Sequence, residues 1–241
     1  MTKTGIRTGI LLHVYHLGAI GWEKFVWGDP ASNQLGTLTK FVDTLLDIPY
    51  DQDVKSIVFS GPSEKEGLIE GAYTKRYLID RLDQLRRFST LNEKIILLSD
   101  EQYSIFLERV HALTVGPVIK NTLDEVIHAA EYFNHDTAAQ HVIQIATPSH
   151  APRCLQNQLI ARRELHIPKT QLWYVAASDV CFDGTTIEDV VILEPPHRGD
   201  DPMSGFSPNL ASVIKSYFKL EANHKKDLIR TIQDTLTRFK K

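Results

Sequence analysis

Short, uninterrupted apolar runs recur along this chain, and their continuity constrains the fold more than any other feature. Most are apolar throughout rather than alternating with polar residues. Strands of that kind are buried on both faces, which is typical of a parallel sheet. The runs that we predict to be strands span residues 9–17, 54–60, 94–99, 141–147, 171–177 and 189–193. The first run also loosely imitates a signal peptide, but two histidines interrupt it, which favours a core strand.

Apolar residues at helical spacing fill the segments between these runs. The stripes are Leu35, Leu38, Phe41, Val42, Leu45 and Leu46; Leu68, Ala72, Leu78, Leu82 and Leu85; Leu123, Val126, Ile127 and Ala130; Leu155, Leu159 and Ile160; and Leu228, Ile229, Ile232, Leu236 and Phe239. Alternation of strands and helices implies right-handed crossovers. We therefore predict an α/β fold with a doubly wound, mostly parallel, Rossmann-like sheet of about six strands and helices on both faces. We expect one domain over 1–241, in which 195–241 form a C-terminal loop and helical extension.

Composition narrows the range of partners. The formal net charge is −3, from 27 basic and 30 acidic residues, so no basic field indicates nucleic acid as a partner. No apolar stretch approaches the roughly 18 residues of a spanning helix, and no membrane partner is expected. Two cysteines, Cys154 and Cys181, are typical of a reducing compartment, which predicts a cytoplasmic location. A small-molecule ligand is the expected partner, and the oligomeric state stays open.

The carboxyl ends of the predicted strands are where a ligand is expected, because open parallel sheets bind ligands there. Residues 147–153 lead from a strand into an amphipathic helix, and Pro152 fits its first turn. The backbone N–H groups of that turn favour an anion, Arg153 suits a carboxylate or phosphate, and His150 can transfer a proton. In the alternative interpretation, Arg153 pairs with a nearby carboxylate and His150 is only a helix cap.

Glu70 is the matching acid, at the start of the helix that follows the second strand. A carboxylate and an imidazole that converge in a half-buried pocket can have separated pKa values, which predicts Glu70 and His150 as a catalytic acid–base pair. In the alternative interpretation, Glu70 only complements the helix dipole, which is worth about 0.5 kcal/mol.

Established sequence signatures are mostly missing. The chain has no P-loop, no G-x-S-x-G elbow, no H-E-x-x-H and no C-x-x-C, and Gly18 and Gly21 give only G-x-x-G. His13 and His16 are three apart on a predicted strand and would point to opposite faces. No metal site is therefore predicted.

Three blocks of the sequence, in order, resemble the DUF218 or YdcF-like family. They are Ser60-Gly61 with Glu70-Gly71-Ala72 and Tyr77-Leu78; Asn121-Thr122-Leu-Asp-Glu125; and Thr147-Pro-Ser-His150-Ala-Pro-Arg153. The resemblance runs from about Gly9 to Ala177. It implies a Rossmann-like fold with a ligand pocket formed by Ser60, Gly61, Glu70, Asn121, Thr122, Thr147, His150 and Arg153. It also implies a nucleotide-like ligand or cofactor, such as S-adenosylmethionine, without settling which.

The chain departs from the family pattern at several points. Gly18, which we add to the predicted ligand-binding residues, stands where the family usually has a Gly-Gly cluster, and residues are inserted between Gly61 and Glu70. The membrane anchor of many relatives is not expected here. The first hypothesis is an enzyme that acts on a nucleotide-like or other anionic small molecule. The alternatives are a non-catalytic ligand-sensing or partner-docking module, which these departures favour, and a purely structural role.

Overall fold

A computed structural model describes residues 5, 7–19, 21–136, 138–181, 221, 223–227 and 230. The chain divides into two compact units, Met1–Val180 and Cys181–Lys241, and the fold below is that of the first. Its elements are β1 (Arg7–Leu12), α1 (Trp22–Trp27), β2 (Gly28–Asp29), β3 (Gln34–Leu35), α2 (Thr37–Asp47), β4 (Asp53–Ser60), β5 (Glu64–Lys65), β6 (Leu68–Ile69), α3 (Glu70–Ile79), a 3-10 helix (Leu82–Arg87), α4 (Ser89–Ile96), α5 (Asp100–His111), β7 (Thr114–Val118), α6 (Thr122–Glu131), a π-helix (Tyr132–Asp136), β8 (His141–Ala146), α7 (Ala151–Arg163) and β9 (Leu172–Ala177). A single domain over the whole chain stays a prediction.

The central sheet has five strands in the order β7-β4-β1-β8-β9, and every pair is parallel. The middle strand is β1. From β1 the chain passes through β4 to the edge strand β7, and then crosses to the other side of β1 to form β8 and β9. This is the doubly wound order, so the predicted Rossmann-like α/β fold is confirmed. Because the winding reverses between β1 and β8, the carboxyl ends of these two strands are where a doubly wound sheet is expected to bind a ligand.

One face of the sheet is closed by α6, the π-helix and α7. Leu11, Val142 and Trp173 point from neighbouring strands into a core that also contains Val126 and Phe133. Gly9 lets the Phe133 ring approach β1, because a Cβ at this position would lie 2.7 Å from the ring. This close approach packs the π-helix against β1.

Two sequence predictions about strands are wrong. Residues 94–99 form the end of α4 and a turn, with Ile96 60% and Leu97 81% exposed, because a four-residue apolar run also suits the end of an amphipathic helix. The missed strand is β7, whose sequence includes Gly116 and Pro117. Proline cannot donate to the ladder, and the β4–β7 register shifts there, as expected for a bulge on an outer strand.

The predicted apolar stripe of α7 faces the wrong way. Leu155 and Leu159 are about half exposed, whereas Cys154, Gln158 and Ala161 are the buried residues of the helix. The side chains of Gln158 on α7 and Gln144 on β8 bond to each other beneath this helix. The predictions for 189–193 and the 228–239 stripe lie outside the described residues, as does most of the predicted extension over 195–241. Among the described helices, none is both long and apolar enough to cross a membrane.

Asp43 joins α2 to α4 through a mostly buried carboxylate. It accepts hydrogen bonds from Lys94 Nζ at 2.6 Å and Lys40 Nζ at 2.9 Å. Burial raises the pKa of Asp43, but the bonds and charges of Lys94 and Lys40 outweigh burial and hold that pKa below its usual value. A lowered pKa means that the stabilisation is present above the unfolded pKa of about 3.9 and is lost as pH falls through the folded pKa.

We therefore expect Asp43→Asn to lower the free energy of unfolding at neutral pH by about 1–2 kcal/mol. The difference from the unsubstituted protein should disappear as the pH falls below about 4. Urea unfolding at a series of pH values measures both effects. Asp47→Asn is the control, because Asp47 also contacts Lys94 but its side chain is 61% exposed. A difference that stays constant down to acid pH would contradict the interpretation.

Candidate functional site

A cluster of polar and ionisable side chains lies at the carboxyl ends of β1 and β8. His13 follows β1, Thr122 and Glu125 lie in the first turn of α6, and His150 and Cys154 lie at the start of α7. His13 is 2% exposed and Cys154 is fully buried. Buried groups of this kind are costly unless they bond to one another, so their arrangement indicates a specific role.

His13 is held by hydrogen bonds at both ring nitrogens. Nδ1 lies 2.8 Å from Glu125 Oε2, and Nε2 lies 3.1 Å from Gln144 Oε1. The orientation of Gln144 follows from its neighbour: Gln158 donates to the carbonyl of Trp173 at 3.2 Å and so accepts from the Gln144 amide at 2.9 Å. Both partners of His13 are therefore acceptors, and the imidazole donates at both nitrogens.

The electrostatics of His13 agree with this arrangement. Burial lowers the pKa of His13, but the charges and hydrogen bonds of Cys154 and Glu125 outweigh it and hold that pKa well above its usual value. A doubly protonated ring is positively charged, and Glu125 lies beside it as the counter-charge. His13 and Glu125 therefore form an ion pair at the carboxyl ends of β1 and β8.

His150 connects α7 to α6 at the same place. Its Nε2 lies 3.0 Å from Thr122 Oγ1, and its ring centroid lies 5.1 Å from that of His13, edge to face. Three potential metal-ligand atoms, one each from His13, His150 and Cys154, lie within 4.8 Å of one another. Segments that are far apart in the sequence, after β1, β7 and β8, are thus joined by direct side-chain contacts.

Glu70 belongs to a second group, between the loops after β1 and β4. Its buried carboxylate accepts from Gly61 N at 2.7 Å, Ser63 Oγ at 2.7 Å and Leu17 N at 3.2 Å. Buried Ser60 supports the same turn, because its hydroxyl accepts from the N–H of Gly71 at 3.1 Å. These contacts give Glu70 a positioning role, and its predicted part in acid–base catalysis stays a prediction.

Three other predicted ligand-binding residues are described as follows. Asn121 caps α6, accepting from Asp124 N at 3.0 Å and donating to its carboxylate at 2.7 Å. The hydroxyl of Thr147 is buried and lies 3.2 Å from that of Ser149. Gly18 is exposed, and its N–H donates to His16 Nδ1 at 3.1 Å. Their part in ligand binding stays a prediction.

The start of α7 differs from the expected anion site in one respect. The N–H groups of His150 and Ala151 both donate to the carbonyl of Thr147, and Pro152 has no N–H. Two of the backbone N–H groups at this turn are therefore already bonded, and the anion site there stays a prediction. Arg153 is partly buried in the same turn.

The sequence analysis missed His13, Glu125, Gln144 and Cys154 as members of the site. His13 was compared with His16 on its own strand, whereas its contacts come from α6, β8 and α7. One feature of the sequence could have indicated this contact. His13 and His150 each lie just beyond a strand, and the doubly wound order makes those two strands neighbours. A cavity of about 490 Å³ near Gln140, His141 and Gln171 lies at the amino ends of β8 and β9, and so is separate from this cluster.

Comparison with known proteins adds no further constraint. No protein-family model matches the chain, and no curated protein or solved structure matches it.

Proposed function

We propose that this protein binds a small anionic molecule, nucleotide-like in the sense of the resemblance described above, at the carboxyl ends of β1 and β8. The observation that carries the proposal is the contact of Thr122 with His150 at 3.0 Å and of His150 with His13, at the reversal of the strand order. Ligands of doubly wound sheets bind at this reversal. Membership of the DUF218 or YdcF-like family and a cytoplasmic location are parts of the same proposal.

Charge supports an anion rather than a neutral ligand. The charge of His13 is paired with that of Glu125, so Arg153, in the first turn of α7, brings the positive charge that favours an anion. A guanidinium recognises phosphate or carboxylate with two parallel hydrogen bonds. Thr122 and His150 would give the ligand a polar wall whose geometry their mutual hydrogen bond fixes.

Binding can be tested with the full chain. Native mass spectrometry first shows whether a small molecule co-purifies, and thermal unfolding with S-adenosylmethionine and with adenosine nucleotides then measures stabilisation. We expect Arg153→Gln to weaken binding by about tenfold to a hundredfold, which is the loss of one charge-assisted contact. Arg163→Gln, at the exposed far end of the same helix, removes the same charge and should have no effect. Equal affinity in both variants would refute the proposal.

Catalysis and sensing remain distinguishable by product formation. If the protein is an enzyme that uses Glu70 and His150, incubation with the bound ligand should release product, and His150→Asn should abolish it. Tight binding without product would favour the alternative, a ligand-sensing or partner-docking module.

A further inference from the structure

We propose that His13, His150 and Cys154 form a zinc-binding site. The three side chains come from two neighbouring strand ends, and one ligand atom from each lie within 4.8 Å of one another. His150 and Cys154 are four residues apart across the start of α7, so they project from the same side of the helix. His13 faces them from the end of β1.

Two imidazole nitrogens and one thiolate sulphur are a donor set that Zn²⁺ prefers. Tetrahedral coordination with Zn–N of about 2.0–2.1 Å and Zn–S of about 2.3 Å requires ligand atoms about 3.3–3.6 Å apart. The spacing in the structure is within about 1.5 Å of that requirement. Coordination would therefore require the ligand atoms to move together by no more than about 1.5 Å.

Neighbouring groups already orient the imidazoles. Glu125 and Gln144 each contact one nitrogen of His13, and Thr122 contacts Nε2 of His150. Metal-bound histidines typically bond through their second nitrogen to a carboxylate or another polar group, which fixes the ring and its tautomer. A metal ion would replace one of the two hydrogen bonds of His13, and the other would then hold the ring.

The charges at the site also suit a divalent cation. Zn²⁺ binding would release the second proton of His13 and the thiol proton of Cys154, and the resulting thiolate and the Glu125 carboxylate would then carry two negative charges that the ion neutralises. Because both groups are largely buried, a cation between them is worth more than it would be in water. Three protein ligands leave a fourth position for water or a ligand, which is the pattern of catalytic rather than structural zinc sites.

The test uses the full chain, stripped of metal with a chelator, kept reduced, and titrated with Co²⁺ alone. We expect one equivalent to give the visible bands of tetrahedral cobalt and the near-ultraviolet band of thiolate-to-cobalt charge transfer. Zn²⁺ should displace the cobalt and abolish both. No anionic ligand is added, so failure to bind Co²⁺ would not count against the proposed anion binding. Failure to bind an anionic ligand would likewise not count against the zinc site.

Variants identify the ligands. Cys154→Ser should abolish the charge-transfer band and weaken Zn²⁺ binding by at least about a hundredfold. Cys181→Ser, at the only other cysteine of the chain, should change neither. Glu125→Gln should weaken binding by about tenfold while the charge-transfer band remains.

If Cys154→Ser is not folded by circular dichroism, His150→Asn replaces it, with the same expected loss of affinity. Failure of the unsubstituted chain to bind one equivalent of Co²⁺, or a charge-transfer band that depends on Cys181, would overturn the proposal.

Discussion

Replacing Glu70 with alanine is expected to lower the free energy of unfolding by about 3 kcal/mol. The carboxylate is 3% exposed and accepts three hydrogen bonds, two of them from backbone N–H groups in different loops. Alanine would leave these donors without an acceptor in a partly buried environment, and each such loss costs about 1 kcal/mol or more. Urea unfolding followed by circular dichroism measures the difference.

Controls separate this role from a general effect of losing a carboxylate. Glu64→Ala removes an exposed acid from the same loop and should change stability by no more than about 0.5 kcal/mol. Glu70→Gln keeps the shape but turns an N–H group toward a donor, so an intermediate loss is expected. If Glu70→Ala were as stable as Glu64→Ala, the carboxylate would not be a positioning group, and its predicted catalytic role would gain weight.

A loss of about 3 kcal/mol is also expected for Arg109→Met. Arg109 on α5 is 6% exposed and donates to three backbone carbonyls, those of Ile48 at 3.0 Å, Pro49 at 2.8 Å and Gln52 at 2.9 Å. These carbonyls form the connection between α2 and β4. Methionine fills a similar volume but donates nothing, so three partly buried acceptors lose a charged donor.

For a chain of this size, such a loss corresponds to a fall in Tm of about 6–12 °C, which calorimetry would measure. Arg109→Lys keeps the charge but cannot reproduce the planar fork, so most of the loss should remain. Arg86→Met, on the exposed side of the 3-10 helix, is the matched control and should leave Tm nearly unchanged. A Tm for Arg109→Met within about 2 °C of that control would contradict the interpretation.

The fold class could be predicted because continuous apolar runs are a direct consequence of burial on both faces. Strands β4, β8 and β9 were found in this way, nearly to the residue. The strand prediction at Ile95–Leu98 was wrong because four apolar residues carry too little periodicity to distinguish a strand from the end of a helix. Strand β7 was missed because Gly116 and Pro117 are typical of a turn. They are tolerated in this strand because it lies at the edge of the sheet.

The candidate site was predictable only in part, because it depends on strand order. His150 and Thr122 follow from the rule that ligands bind at carboxyl ends of strands, and the structure joins them by a hydrogen bond. Nothing local indicates that His13 lies beside Glu125, 112 residues further along the chain. Likewise, the buried face of α7 is polar, so apolar periodicity selected its opposite face and left Cys154 and Gln158 unnoticed.

Gln158 and Gln144 form a row of amides that can point in only one direction. Rotating either amide by half a turn would set oxygen against oxygen, so the two side chains can reverse only together, and the Trp173 carbonyl prevents that reversal. The Trp173 carbonyl of β9, acting through Gln158 and Gln144, thus determines which amide atom faces the His13 imidazole. Sliding β9 by one residue along β8 would move the Trp173 carbonyl away from Gln158 and interrupt the row, so the alignment of an outlying strand determines which amide atom faces the imidazole after β1.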